Sequence, residues 1–333
     1  MNSQETNKSV FRRNLRLVAL FIVASFAITA LIQFVVIPII TATPKTESFE
    51  KASIAWEDKT FRVKANDAYG TAFTLESKSE DGENYVYYVT AYHVIERDSS
   101  AIEIKIGKDY KSAQYVGGNE QYDLAFFKVK QSGVYYSYPS IASVSLAKEI
   151  MTIGNAYNQG LSVRDGIISK TCHNDNGKLA LEVDCAISQG MSGCPVYDKS
   201  ANLVGMGISI NEDKTSYVIP ASFIRKEYER ITAEVVKPEI EYTVKTENGN
   251  MVLTLCDNEF IYDGYSVYFT GITVDEEELE DVKINSVNGK PVNTMIDFIE
   301  YVISYNNLTS YEYGASFKVN VNTSNGYKEI KIK

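Results

Sequence analysis

Between about Thr60 and Pro220 the chain is cut into short runs rich in β-branched and aromatic residues, with turn residues between them. "TFRVKAN", "GTAFTLES", "YVYYVTAY", "AIEIKIG" and "DLAFFKVK" come first. "MTIGNAY", "GIISKTC", "LALEVDCAI", "CPVYD", "LVGMGISI" and "SYVIP" follow. Runs of this length, spaced this evenly, read as an all-β sandwich or barrel. The 24 tyrosines fit the same reading, because aromatic rings pack well on a pleated surface. No alternation of strand and helix appears, which excludes a doubly wound parallel sheet. One helix closes the region: in "ASFIRKEYERIT", Phe223, Ile224, Tyr228 and Ile231 recur at helical spacing.

A chain of 333 residues suggests roughly two domains. The second begins after about Val236. "KINSVNGKPVN" reads as strand, Asn-Gly turn and short strand. "TMIDFIEYVISY" places Ile296, Ile299 and Ile303 on one helix face, with Thr294 and Asp297 as a capping pair. "ASFKVNVNTSNGYKEIKIK" is a closing hairpin around Asn325-Gly326.

The N-terminus differs from all of this. Leu17 to Ile40 carries no charge. As a helix it would span about 36 Å, enough for a hydrocarbon core of about 30 Å. A cleavable signal peptide has a shorter apolar region of about 7–15 residues, so a retained anchor is expected rather than a leader cut near Ala42. Lys8, Arg12, Arg13 and Arg16 precede it against Glu5 alone, and positive flanks stay in the cytoplasm. The expected organisation is a cytoplasmic N-terminus (1–16), a transmembrane helix (17–40), a linker (41–58), a β domain (59–235) and a small α+β domain (236–333). The two domains would lie outside the cytoplasm, in a cell-membrane protein of single-pass type. Ser25, Thr29 and Gln33 share one face of the predicted span.

Composition narrows the chemistry. A net charge of −10 argues against a nucleic-acid partner. Cys172, Cys185, Cys194 and Cys256 form no C-x-x-C pair, so no metal site is expected, and their spacing dictates no disulfide pairing. Only His93 and His173 could supply an imidazole.

Attack by a serine hydroxyl on an amide needs a base, an acid that orients the base, and donors for the oxyanion. His93 ends an apolar strand in "YYVTAYHVIE", a position suited to a cleft. Asp123 precedes the strand "DLAFFKVK". Ser192 sits between glycines in "SQGMSGCPVYDKSANLVG". Each residue alone is equally an ordinary turn or structural residue, since Gly, Ser and Asp populate turns. Together they run His, Asp, Ser, the chain order of the chymotrypsin-like fold.

Their neighbourhoods resemble the HtrA (Deg) branch of that family over about residues 60–230. "YVTAYHVI" is similar to its histidine box, "YDLAFFKV" to its aspartate strand, and "LEVDCAISQGMSGCPVYDKSANLVGMGIS" to its nucleophile segment. "GTAFTL" resembles its Gly-Ser-Gly-Phe opening, and "SYVIPASFI" its closing Phe-Ala-Ile-Pro. The resemblance implies two six-stranded barrels and a serine endopeptidase acting on unfolded or regulatory proteins. In it Ser192 is the nucleophile, His93 the general base and Asp123 the orienting acid. Gly190 and Ser192 supply the oxyanion-hole N–H groups. It implies no cofactor, protein or peptide substrates, and a homotrimer. It also implies that Ala186 and Ile208 line a small apolar pocket for the residue before the cut; Asp184, two residues before Ala186, could share its face but would sit further down, and it matches an aspartate usual in a branch that does not select basic residues. The C-terminal unit resembles a PDZ domain over about residues 265–333, without a clear copy of its peptide-binding Gly loop.

The sequence departs from the HtrA pattern at Tyr92, Met191 and Cys194, where smaller or different residues are usual. No catalytic group is lost, but Cys194 could crowd the turn. A cysteine nucleophile is disfavoured because Ser192 occupies that place and Cys194 comes two residues late. The competing reading from another class is a catalytically silent, membrane-anchored peptide-binding scaffold. The intact triad speaks against it.

Overall fold

The computed structural model describes residues 48–175, 177–208, 216–233, 242–255, 258–269, 272–274, 277–279, 282–306, 317–323 and 326–332. The expected membrane helix and the N-terminal 16 residues lie outside them, as does Cys256. Among the described residues no helix is long and apolar enough to cross a membrane.

Helix α1 (Phe49–Glu57) comes first. It falls inside the segment expected to be a linker, which is therefore partly structured. Ser48 caps it by accepting from the Lys51 N–H, as a serine at that position does. Its apolar residues Ala52 and Trp56 are buried. The Trp56 ring stacks on Tyr197 and meets Phe73 edge-on, each at 5.7 Å. Its indole N–H donates to Ala201 O at 3.1 Å. Tyr197 belongs to the second β unit and Phe73 to the first, so α1 staples the two together.

The first unit comprises β1 (Thr60–Ala65), β2 (Ala68–Glu80), β3 (Glu83–Ala91), β4 (Ile102–Ile106), β5 (Asp109–Ser112), β6 (Gln114–Asn119) and β7 (Leu124–Lys130). They form one sheet in the order β5-β4-β1-β2-β3-β7-β6, so it has seven strands where six were expected. The additional strand is a product of the β4–β5 hairpin, whose turn passes through Gly107 at φ 64°. A one-turn helix α2 (Tyr92–Ile95) follows β3. The second unit is a closed six-stranded barrel, as expected. Its strands are β8 (Glu149–Asn155), β9 (Leu161–Asp175), β10 (Lys178–Val183), β11 (Cys194–Tyr197), β12 (Leu203–Ile208) and β13 (Ser216–Pro220). Helix α3 (Ala221–Ile231) buries Phe223, Ile224 and Tyr228, three of the four residues predicted for its inner face.

The C-terminal unit contains β14 (Tyr242–Glu247), β15 (Asn250–Leu255), β16 (Asn258–Tyr262), β17 (Val267–Phe269), β18 (Ile272–Val274), β19 (Glu277–Leu279), β20 (Val282–Val287), β21 (Lys290–Pro291), helix α4 (Met295–Asn306), β22 (Phe317–Thr323) and β23 (Gly326–Ile332). Strands β14, β15, β16, β17, β20, β22 and β23 lie side by side, β21 pairs with β20, and β18 pairs with β19 alone. The capping pair is formed: Thr294 Oγ1 accepts from Asp297 N–H, and Asp297 Oδ2 accepts from Thr294 N–H, both at 3.0 Å. Asn288 and Gly289 have positive φ, as an Asn-Gly hairpin turn requires.

Candidate active site

Strand register brings His93 to Asp123. In the β3–β7 pair Ala91 faces Leu124. Continuing each strand one residue past that pair sets Tyr92 beside Asp123, and the Tyr92 N–H donates to Asp123 O at 3.0 Å. The Asp123 carboxylate then takes two bonds from the next residue. His93 N–H donates to Oδ1 at 2.9 Å, and His93 Nδ1 lies 2.8 Å from Oδ2. Asp123 sits at φ 56°, a left-handed conformation that aspartate tolerates better than most residues. Its side chain is 5% exposed, while that of His93 is 43% exposed. The acid is thus fixed and buried, and the ring it orients faces solvent.

Ser192 lies in the turn between β10 and β11 and is buried. Both glycines around it are compulsory. Gly190 and Gly193 have φ of 85° and 89°. A Cβ on Gly193 would stand 2.0 Å from Thr71 O and 3.0 Å from Ala91 N. One on Gly190 would stand 2.5 Å from Asn155 O. The turn therefore presses against β2 and the end of β3, two residues before His93. Gly70 fills the remaining gap: a Cβ there would meet Val94 at 2.7 Å and Ser192 O at 3.0 Å.

Every carbonyl from Ser188 to Ser192 is taken. Ser188 O accepts from Met191 N (2.9 Å), Gln189 O from Tyr157 N (2.7 Å), Met191 O from Cys194 N (2.9 Å) and Ser192 O from Thr71 N (2.9 Å). Gly190 O accepts from the Thr71 hydroxyl at 2.9 Å. The N–H of Gly193 is spent on Gly207 O at 2.8 Å. Of the four N–H groups from Gly190 to Gly193, those of Met191 and Gly193 are bonded, and those of Gly190 and Ser192 meet no acceptor among the described residues. A planar trans peptide points its C=O and N–H in opposite directions. Holding Gln189 O against Tyr157 consequently turns the Gly190 N–H the other way.

The departures from the expected pattern are accommodated by glycines elsewhere. Met191 and Cys194 are fully buried. A Cβ on Gly154 would come within 3.2 Å of Met191 and 3.0 Å of Cys194, and one on Gly207 within 2.7 Å of the Cys194 sulfur. Thr152 Oγ1 donates to Cys194 Sγ at 2.9 Å. Burial pushes the Cys194 thiol up to about 11, so it is protonated at neutral pH. Cys172, Cys185 and Cys194 are unpaired. Tyr92 finds room against Gly118, whose Cβ would lie 3.1 Å from its ring.

Of the expected pocket residues, Ile208 is buried at the end of β12 opposite Tyr217, while Ala186 is exposed. Asp184 is turned onto β9: its Oδ1 accepts from Ile167 N–H at 2.6 Å. His173 is remote from the triad, on β9 and 3.3 Å from Glu182. Among the described residues no group of three or more His, Cys, Asp or Glu could hold a metal ion. Thr71, Asn155 and Tyr157 escaped notice in the sequence. Thr71 alone had a signal there, as the residue after Gly70 in "GTAFTL".

Residues 70–206 match the trypsin-like peptidase domain family. This match, together with the relatives that follow, supports a serine protease. A probable periplasmic serine endoprotease, DegP-like, from Rhizobium meliloti (strain 1021) is 30% identical over 165 residues, covering 46% of this chain and 31% of that protein. The serine endoprotease DegS of Haemophilus influenzae is 29% identical over 135 residues, 38% of each chain. The chain spans about a third of the length of the curated relatives it matches. The serine endoprotease of Yersinia pestis superposes with a TM-score of 0.49 at 20% identity, covering 86% of this chain and 97% of that one.

Proposed function

We propose that the chain is a serine endopeptidase of HtrA type. The observation that carries this reading is the buried Asp123 carboxylate gripping both the backbone and the ring of His93, beside a turn whose Gly190 and Ser192 N–H groups meet no acceptor among the described residues. With Nδ1 committed to Asp123, Nε2 of His93 takes the proton of Ser192 as Oγ attacks the substrate carbonyl carbon. The N–H groups of Gly190 and Ser192 receive the developing oxyanion. Each such donor contributes about 3–4 kcal/mol in well-studied cases. Collapse of the tetrahedral adduct breaks the C–N bond, and His93 hands its proton to the leaving amine. Water then enters by the reverse sequence and frees Ser192.

On the same reading, Leu17–Ile40 anchors the chain with its N-terminus in the cytoplasm, the protease works outside it on unfolded or regulatory proteins, and the assembly is a homotrimer. The uncharged run, its basic flank and the periplasmic label of the DegP-like relatives support this. The C-terminal unit acts as a PDZ-like regulatory domain, supported by its Asn-Gly turn and capped helix. With Asp184 held by β9, the substrate pocket accepts aliphatic residues and disfavours Lys and Arg, whose buried charge would lack a partner.

Casein hydrolysis and fluorophosphonate labelling of the full chain in detergent test this reading. The expected result is turnover, one labelled serine, and cuts after Val, Ala or Ile; Ser192→Ala loses all three. A parent protein that neither hydrolyses nor labels would instead identify a silent scaffold.

A further inference from the structure

We propose that Thr71 and Arg62, both contributed by the first β unit, are positioning residues that hold the oxyanion hole in its competent shape. The proposal rests on the serine-endopeptidase reading above. The two residues are direct cross-strand partners in the β1–β2 pair, so their side chains leave the same face of the sheet. That face meets the nucleophile turn and the β8–β9 turn of the barrel.

Thr71 is fully buried and its groups are fully committed. Its hydroxyl donates to Gly190 O and accepts from Asn155 N–H, each at 2.9 Å. Its own N–H holds Ser192 O. One residue therefore fixes the peptide after Gly190, the carbonyl of the nucleophile and the start of the β8–β9 turn.

That turn controls the peptide before Gly190. The turn's Tyr157 N–H is what keeps Gln189 O out of the hole. Tyr157 and Asn158 both have left-handed backbones, with φ of 51° and 57°. Such a conformation is unfavourable for tyrosine and persists only where its surroundings impose it. Arg62 imposes it. Its Nη2 donates to Asn158 O at 2.9 Å and to Asn155 Oδ1 at 3.0 Å. Asn155 Oδ1 also accepts from Gly160 N–H at 3.2 Å, which closes the loop on itself. Arg62 is half-buried, so its forked guanidinium bridges two acceptors at the rim of the molecule.

The hole is thus braced on both sides of Gly190, by Thr71 directly and by Arg62 through Tyr157. Without the brace either peptide can rotate, and a rotated Gln189–Gly190 peptide presents a carbonyl to the developing negative charge. Substrate binding elsewhere in the cleft would be unaffected. The consequence is a loss in kcat at constant KM, the signature of an interaction made only in the transition state.

Thr71→Val preserves shape and removes the hydroxyl, while Thr71→Ser restores it. Arg62→Met keeps the stem and removes the fork. Hydrolysis of a peptide p-nitroanilide with valine before the scissile bond is followed for the full chain in detergent, with kcat expressed per site titrated by fluorophosphonate at saturation. Thr71→Val should lower kcat about 100-fold, the loss seen when one oxyanion donor is removed. Its KM should stay within about twofold, and Thr71→Ser should return to within about threefold of the parent. Arg62→Met should lower kcat about tenfold, the size of one net hydrogen bond. Parental kcat in both Thr71→Val and Arg62→Met, or a raised KM at unchanged kcat, would overturn the brace. If Thr71→Val does not fold by circular dichroism, Arg62→Met decides alone, and parental kcat there overturns it. A parent that is inactive and unlabelled fails the endopeptidase reading and the brace with it; an active parent with unaffected variants fails the brace only.

Discussion

The two histidines of this chain each stand beside a carboxylate, and the two regions differ in every other respect. His93 meets Asp123 at 2.8 Å, with a second bond from its backbone, and the acid is 5% exposed. His173 meets Glu182 at 3.3 Å across the β9–β10 pair, the acid is 27% exposed, and the ring is stacked on Tyr217 at 4.7 Å. One arrangement immobilises the acid and leaves the imidazole facing solvent. The other leaves ring and acid about equally exposed, at 25% and 27%, and such a partly solvated pair contributes at most about 1 kcal/mol. A histidine–carboxylate contact is therefore no sign of catalysis by itself. What distinguishes the first is a buried, doubly bonded acid and a serine turn packed against the same strand end.

The largest effect should come from breaking the first region. His93→Ala should reduce kcat about as far as Ser192→Ala, by about 10⁶-fold, because triad members act as a unit. Casein turnover measures it, and a loss below about 100-fold would show that His93 is not the base. Next is the acid. Asp123→Asn should lower kcat about 10⁴-fold, since the amide favours the wrong tautomer of the ring. Glu182→Gln, the matching change in the second region, should leave kcat within about twofold and give a melting shift of less than about 3 °C.

Lys226 offers a third kind of charged group, one whose burial works against it. It lies on α3 and donates to Glu300 O of α4, where the C-terminal unit meets the barrel. Burial pulls its ammonium down to about 8, only partly opposed by the Glu300 carboxylate. With the folded value below the unfolded one, the unfolded chain binds more protons between about pH 8 and 10.5, so stability from this group rises with pH across that window. The penalty is complete below about pH 8. Lys226→Met should thus raise the melting temperature by about 2–4 °C at pH 7, and the gain should vanish near pH 10.5. A gain that does not change with pH would assign the effect to packing instead.

The smallest effect is expected from His173→Gln. It should leave hydrolysis within about twofold and reduce stability by about 0.5–1 kcal/mol, through loss of the ring stack on Tyr217. Measurable loss of kcat at constant fold would erase the distinction between the two histidine regions.

Several features were legible without coordinates because they depend on local pattern. The strand runs, the α3 face, the Thr294–Asp297 cap and the Asn288–Gly289 turn each rest on residues close in sequence. Helix α1 was not, although Ser48 and the spacing of Phe49, Ala52 and Trp56 offered a weak signal. Its polar composition resembles a linker, and only Phe73 and Tyr197, brought from two separate sheets, create the slot that Trp56 fills. Cys194 reads in sequence as a threat to the turn. The space for it comes from Gly154 and Gly207 on neighbouring strands, and neither glycine reveals its partner in one dimension.

By itself the sequence determined which side chains could do chemistry: the order His93, Asp123, Ser192, and the glycines that let the last turn form. Those are matters of residue type and backbone freedom, which travel with the chain. Only the tertiary structure decided that Asp123 is buried beside His93, that Gly190 and Ser192 keep their N–H groups free of other acceptors, and that Thr71 and Arg62 brace them. These depend on strand register and on contact between two sheets, where residues 93 positions apart, such as Arg62 and Asn155, share a hydrogen bond.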